Sequence, residues 1–147
     1  MNAFDMLRQI LYGKAIEAVQ NNGNFKCQIG DEPFVAPTNG DIYGQFWFKT
    51  GKTDQIELGP RTGYECSSGV IQFTLYAPEK AGDGAILRLG DALKKAFNRQ
   101  QWIVPPDGYV TMDPLSVQPL PGIKAGHRVV IVDGSFDFHH RDPAATP

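Results

Sequence analysis

Gly69-Val70-Ile71-Gln72-Phe73-Thr74-Leu75-Tyr76-Ala77-Pro78 is the stretch whose reading decides the fold. On an extended backbone Ile71, Phe73, Leu75 and Ala77 point one way, and Val70, Gln72, Thr74 and Tyr76 point the other. One face is wholly apolar and the other mixed, the pattern of a strand in a sheet covered on one side. Pro78 lacks the N–H that a ladder needs and ends the strand. The rest of the chain must give this strand its neighbours and its cover.

Upstream, Ile42 to Lys49 holds Tyr43, Phe46, Trp47 and Phe48, and this aromatic enrichment predicts a second strand. Thr53 to Leu58 predicts a further short strand. Gly59-Pro60 predicts a turn, with polar loop chemistry from there through Gly69. Residues 24–40 read as irregular, punctuated by Pro33, Pro37 and Gly40, with Phe34 and Val35 pinning the segment to the core. Before them, Phe4, Leu7, Leu11, Ala15 and Ala18 recur at helical spacing, with Ile10 and Val19 beside them. Asn2 suits the N-cap, with Asp5 three residues on. Gly13 costs that helix about 1 kcal/mol against Ala. Asn21-Asn22-Gly23, residues that tolerate a left-handed backbone, stop it.

Downstream, a loop over Pro78 to Gly82 leads to Asp83 as an N-cap. A second helix follows, with Ile86, Leu89, Leu93, Ala96 and Phe97 on one stripe. Lys94, Lys95 and Arg99 complement its dipole at the C-terminal end. Tyr109 to Val117 and Arg128 to Phe138 predict two more strands, joined through Pro119, Pro121 and Gly122, with Asp133-Gly134 as a bulge or bend. The order is helix, three strands, helix, two strands. That order predicts an α+β two-layer sandwich, a mainly antiparallel sheet with two helices packed on one face. Residues 1–140 read as a single domain and 141–147 as a flexible tail, since nothing after His140 is apolar and larger than Ala.

Composition excludes several classes. The chain has 147 residues, enough for one domain to bury a core without staples. Its 16 glycines and 11 prolines make it turn-rich. The longest apolar run, Val129 to Val132, falls far short of the roughly 20 residues of a membrane helix. Asp5 and Glu17 interrupt the first segment, which does not read as a secretory signal. A net charge of −2 argues against a dedicated nucleic-acid binder. The two cysteines, Cys27 and Cys66, are isolated and read as free and partly buried.

Each candidate for chemistry has a stronger plain explanation. His127, His139 and His140 are the only histidines. The adjacent His139 and His140 point to opposite faces of a strand, where two ligands of one ion cannot easily meet. Cys66-Ser67-Ser68-Gly69 lacks the spacing of a nucleophile elbow and reads as a turn. Gly82-Asp83-Gly84 opens a helix, but Asp83 puts a carboxylate where an anion would sit. Asp31-Glu32 and the pair Asp133 and Asp137 match no calcium loop. No catalytic, cofactor or metal residues are therefore assigned.

The aromatics point elsewhere. Phe46-Trp47-Phe48 puts large rings on both faces of one strand, which calls for a second layer or another chain. The polar, Gly-punctuated stretch 50–68 is a candidate for ordering on assembly. Trp47, Lys49, Lys52, Arg61 and Tyr64 are the candidate contact residues for self-assembly or a partner.

Taken in order, the pieces resemble the tail-terminator-like proteins of long-tailed bacteriophages. The resemblance runs from about residue 4 to 138. It rests on the amphipathic first helix, Pro33-Phe34-Val35-Ala36-Pro37 with Tyr43, Ile56-Glu57-Leu58-Gly59, and Gly69 to Pro78 with Gly82. The helix carrying Leu89, Ala92, Leu93 and Phe97 and a closing β-pair complete it. The stretch Gly-x-x-Gln-φ-x-φ-x-x-Pro is its most specific part. The prolines between Gln118 and Gly126 and the C-terminal tail depart from the pattern. The resemblance implies a compact α+β unit that forms a ring, commonly a hexamer. The ring ends tail polymerisation at the head-proximal end of the tube and joins it to the head. The implied partners are further copies, the tail tube protein and a head–tail connector protein, with no cofactor, catalysis, membrane or sequence-specific nucleic acid. The implied location is the neck of the virion tail, and the host cytoplasm during assembly. Two alternatives stand beside it: another neck, joining or tube component, and a small soluble enzyme or ligand-binding domain.

Overall fold

Strand Tyr64–Pro78 lies inside a curled seven-stranded sheet, and its alternation is the one the sequence predicts. Ile71, Phe73, Leu75 and Ala77 are all fully buried, while Val70 on the other face is exposed. The computed structural model describes residues 3–55, 64–122 and 126–141. In chain order its elements are α1 (Ala3–Asn21), β1 (Lys26–Ile29), β2 (Tyr43–Gln55), β3 (Tyr64–Pro78), a 3-10 turn (Glu79–Ala81), α2 (Gly84–Phe97), β4 (Gln101–Val104), β5 (Gly108–Met112), β6 (Ser116–Pro119) and β7 (His127–Arg141). The sheet order is β1-β2-β3-β7-β5-β4, with β6 also on β7. Only β1 and β2 are parallel. The fold is thus mixed α/β, with two helices and a curled, mainly antiparallel sheet.

Register explains the core. Phe46 of β2, Phe73 of β3 and Val132 of β7 stand opposite one another, as do Gly44, Leu75 and Val130. Since side chains alternate, these residues share one face, here called inner. Phe97 of α2 meets the rings of Phe46 and Phe73. Tyr12 of α1 meets Phe46 and Phe48, and Phe4 meets Phe138. A Cβ added at Gly90 of α2 would lie 3.2–3.4 Å from methyls of Val117, Val130 and Val132, so the missing side chain lets the helix approach β6 and β7 closely.

Several expectations need correction. The irregular reading of 24–40 missed β1, which is too short for a periodic signal, and Val35 is 87% exposed rather than pinned to the core. Phe34 does not reach the core either: it packs against Tyr43 on the outer face of the sheet. The strands predicted over 42–49 and 53–58 are one strand as far as Gln55, interrupted by a register shift between Thr50 and Thr53. The loop reading of 50–68 therefore fails on both flanks, because β3 begins at Tyr64; residues 56–63 lie outside the described residues. Cys66-Ser67-Ser68-Gly69 is strand, not turn. β4 was not predicted, and Tyr109 to Val117 divides into β5 and β6. No bulge occurs at Asp133-Gly134, where β3 and β7 stay in register. The glycine is needed there because Leu115 crosses over it: a Cβ would come within 2.8 Å of the Leu115 side chain.

The helices start and stop largely where the sequence predicts, except that α2 ends at Phe97 and leaves Arg99 beyond it at positive φ rather than in its last turn. α1 stops at Asn21, with Gly23 and Asn24 at positive φ; its expected N-cap Asn2 lies outside the described residues. Asp83 stands at the N-cap of α2, although its side chain makes no capping hydrogen bond. Gly90, absent from the predicted stripe, faces inward, and Ala96, which the stripe included, is exposed. Arg141 is the last residue of β7 rather than the first of a tail; residues 142–147 lie outside the described residues.

Candidate functional site

β2 and β3 hold the predicted contact residues on one long hairpin. Trp47 and Lys49 lie on the outer face of β2, opposite Gln72 and Val70. Trp47 is 38% exposed and its diagonal neighbour Val70 is 40% exposed, while Lys49 is exposed between them. Lys52 falls within the register shift, and Tyr64 opens β3 opposite Arg141. Tyr64 is six positions from Val70, roughly 20 Å along a strand. The structure thus brings Trp47 and Lys49 together and sets Lys52 and Tyr64 toward the far end of the hairpin. Arg61 lies outside the described residues.

Ile103 of β4 was missed and is 76% exposed. It faces the same side of the sheet as Tyr109 and His139. The signal available was Trp102-Ile103-Val104, an apolar triplet too short to separate from a helix end. At the other end of the outer face Phe34, Tyr43, Tyr76 and His127 form an aromatic cluster, with Tyr43 stacked on Tyr76 at 4.9 Å. Burial, and then the neighbouring Tyr76, raise the Tyr43 hydroxyl above its usual pKa.

The histidines separate as the alternation predicts. His139 stacks on Tyr109 at 4.6 Å on the outer face, and His140 turns inward against Phe4 and Phe138. His127 is twelve positions from His139, roughly 40 Å along β7. His140 Nε2 lies 3.0 Å from the Ser67 hydroxyl and 4.0 Å from a Glu65 carboxylate oxygen. The residue types are those of a catalytic triad, but the geometry is not. A triad needs the acid on Nδ1 and the nucleophile on Nε2, whereas here serine and acid approach the same nitrogen. Ser67 is also 0% exposed, so its hydroxyl cannot meet a substrate. Ser67 and His140 form a buried polar pair between β3 and β7, with the half-buried Glu65 at its margin.

Register also lines up Asp54, Cys66, His139 and Tyr109 across β2, β3, β7 and β5. Cys66, His139 and Tyr109 of this row lie on the outer face, and the rings of Tyr109 and His139 cover each other within it. Cys27 borders an open depression of about 390 Å³ with Ile16, Val19, Phe25 and Glu32. Burial pushes its thiol up to about 12, so at neutral pH it is protonated and a poor nucleophile. Among the described residues, no three or more His, Cys, Asp or Glu side chains are placed to hold a metal ion. No helix among them is long and apolar enough to cross a membrane.

No protein-family model and no curated protein matches the chain. A solved structure is similar to it at 17% identity with a TM-score of 0.69, over 94% of this chain and 96% of that one. The name of that protein describes no function. At this identity the likeness establishes the fold alone.

Proposed function

We propose that this chain is a structural tail-terminator protein of a long-tailed bacteriophage. Copies assemble as a ring, a hexamer in the family the sequence resembles, at the head-proximal end of the tail tube. The ring ends tail polymerisation and provides the joint to the head. In this reading the domain is a two-layer sandwich with both helices on the inner face and its assembly surfaces elsewhere. Its partners are further copies, the tube protein and a head–tail connector, and it needs no cofactor and performs no catalysis. It resides in the neck of the virion, after assembly in the host cytoplasm.

The observation that carries the reading is the contrast between a filled inner face and large apolar side chains left in solvent outside, at Trp47, Val70 and Ile103. Trp47 and Val70 adjoin on the outer face, and contiguous exposed apolar surface of this kind supports a contact with another chain, with Ile103 standing apart at the opposite edge. Mass measurement in solution, with and without tail tubes, is the first test: association in either setting is expected, and a strict monomer that ignores tubes overturns the proposal. Tails assembled without the protein are expected to grow to abnormal length. Tails of normal length that fail to join heads favour another neck component. Cys66→Ala, His127→Ala and His139→Ala are expected to leave assembly and phage titre unchanged. A large loss of titre with folding intact points to an enzyme or ligand-binding domain instead.

A further inference from the structure

The sheet ends in two edges, and their backbone geometry fits one to the other. Met112 donates its N–H to the Gln100 carbonyl at 2.7 Å, in line with the β4–β5 pairs. Bonded and non-bonded pairs alternate in an antiparallel ladder. Trp102 and Val104 therefore turn their backbone groups to β5, and Gln101 and Ile103 turn theirs outward. On the opposite edge Gly30 donates to the Phe46 carbonyl at 2.8 Å, the last bond on that side before the chain leaves β2. By the same alternation Phe48 and Thr50 turn their backbone groups to that side. Among the described residues no strand pairs with β2 there beyond Phe46. Open edges of this kind are templates for another strand.

We infer that copies of this chain join head to tail, with β4 of one copy pairing in parallel with β2 of the next beyond Phe46. The inference rests on the self-association proposed above and names the surface that performs it. Three observations select this arrangement. First, strand directions alternate from β2 through β3, β7 and β5 to β4, so β4 runs the same way as β2. A rotation about an axis along the strands therefore brings the two edges together in parallel. Second, in a parallel ladder a residue bonds to the two residues that flank the one opposite it. Phe48 set opposite Trp102 bonds to Gln101 and Ile103, and both rings then lie on the inner face. An antiparallel join would set the inner side of one sheet against the outer side of the next. Third, this register puts Trp47 opposite Gln101 and Lys49 opposite Ile103. Trp47 and Ile103, both exposed, become diagonal neighbours on the outer face, within reach of a large side chain. A β2–β2 join would instead leave Ile103 bare.

Cross-linking tests the join directly. Lys49→Cys and Ile103→Cys proteins, alone and mixed, are treated with a short bifunctional thiol cross-linker, with the natural sequence as the control for Cys27 and Cys66. A 49–103 link, located by peptide mass mapping, is expected only in the mixture. A 49–49 or 103–103 link overturns the head-to-tail arrangement. An oligomer that yields no 49–103 link overturns this edge pairing but leaves self-association standing, whereas a strict monomer with and without tail tubes overturns both. Ile103→Pro gives an independent reading, because it removes an outward N–H and leaves the β4–β5 bonds intact. Association is expected to weaken at least about tenfold with the loss of the inter-copy bonds, with the circular dichroism spectrum unchanged. Unchanged association of the folded variant overturns the inference.

Discussion

Tyr43–Phe46 and Trp47–Gln55 belong to one strand and both carry aromatic side chains, yet they meet different surroundings. The first stretch lies between β1 and β3, with its backbone paired on both sides and Phe46 buried beneath α1 and α2. The second pairs with β3 alone, and its outer side chains Trp47 and Lys49 face solvent. Sequence sets strand propensity for both. Whether a strand is interior or edge depends on where a four-residue segment, Lys26–Ile29, stops. The comparison teaches that one strand can anchor a core and offer a surface, divided at the residue where its neighbour ends.

Substitutions at adjacent positions test that division. Phe46→Ala carries the largest expected effect, about 3–5 kcal/mol of lost stability, because it opens a cavity among Phe73, Phe97 and Tyr12. Urea unfolding followed by fluorescence measures it, and a small loss would mean that this half is not the closed one. Gly69→Ala comes next, at about 1–3 kcal/mol. Its Cβ would collide with the Lys49 carbonyl and the Phe136 ring, and backbone on a partner strand yields less readily than a flexible side chain. An unaffected unfolding midpoint would show that β2 relaxes freely beyond Phe48. Trp47→Ala is expected to cost the monomer about 1 kcal/mol or less while weakening association. A monomer destabilised as much by Trp47→Ala as by Phe46→Ala would erase the difference between the two halves.

Legibility followed pattern length. α1, α2 and β3 were readable because each repeats its periodicity over many residues, and tertiary contacts bear out most of the faces that the periodicity named, Ala96 of α2 and Phe4 of α1 being exposed exceptions. The opposed directions of His139 and His140 were readable for the same reason. β1 and β4 were not, since four residues carry too little alternation to stand out and both are held by the strands beside them. The hairpin flanks at 50–55 and 64–69 were misread because Gly51 and Gly69 look like loop punctuation. At Gly69 the actual reason is space, since Phe136 lies across the position. Of the candidate site, Trp47 was named from the doubly apolar strand and Lys49 from the charges beside the polar stretch that follows it. Ile103 was not, because its exposure depends on β4 being an edge.

The sequence by itself determined most of the residues that would be buried in the long elements, since alternation and helical spacing are local consequences of backbone geometry. It also determined that Phe46 and Trp47 would face opposite ways. Only the tertiary structure decided that β7 is central, that β4 ends the sheet, and that β2 is covered on its second side no farther than Phe46. Those outcomes depend on pairings between residues distant in the chain, whose energies come from neighbours that no local pattern names.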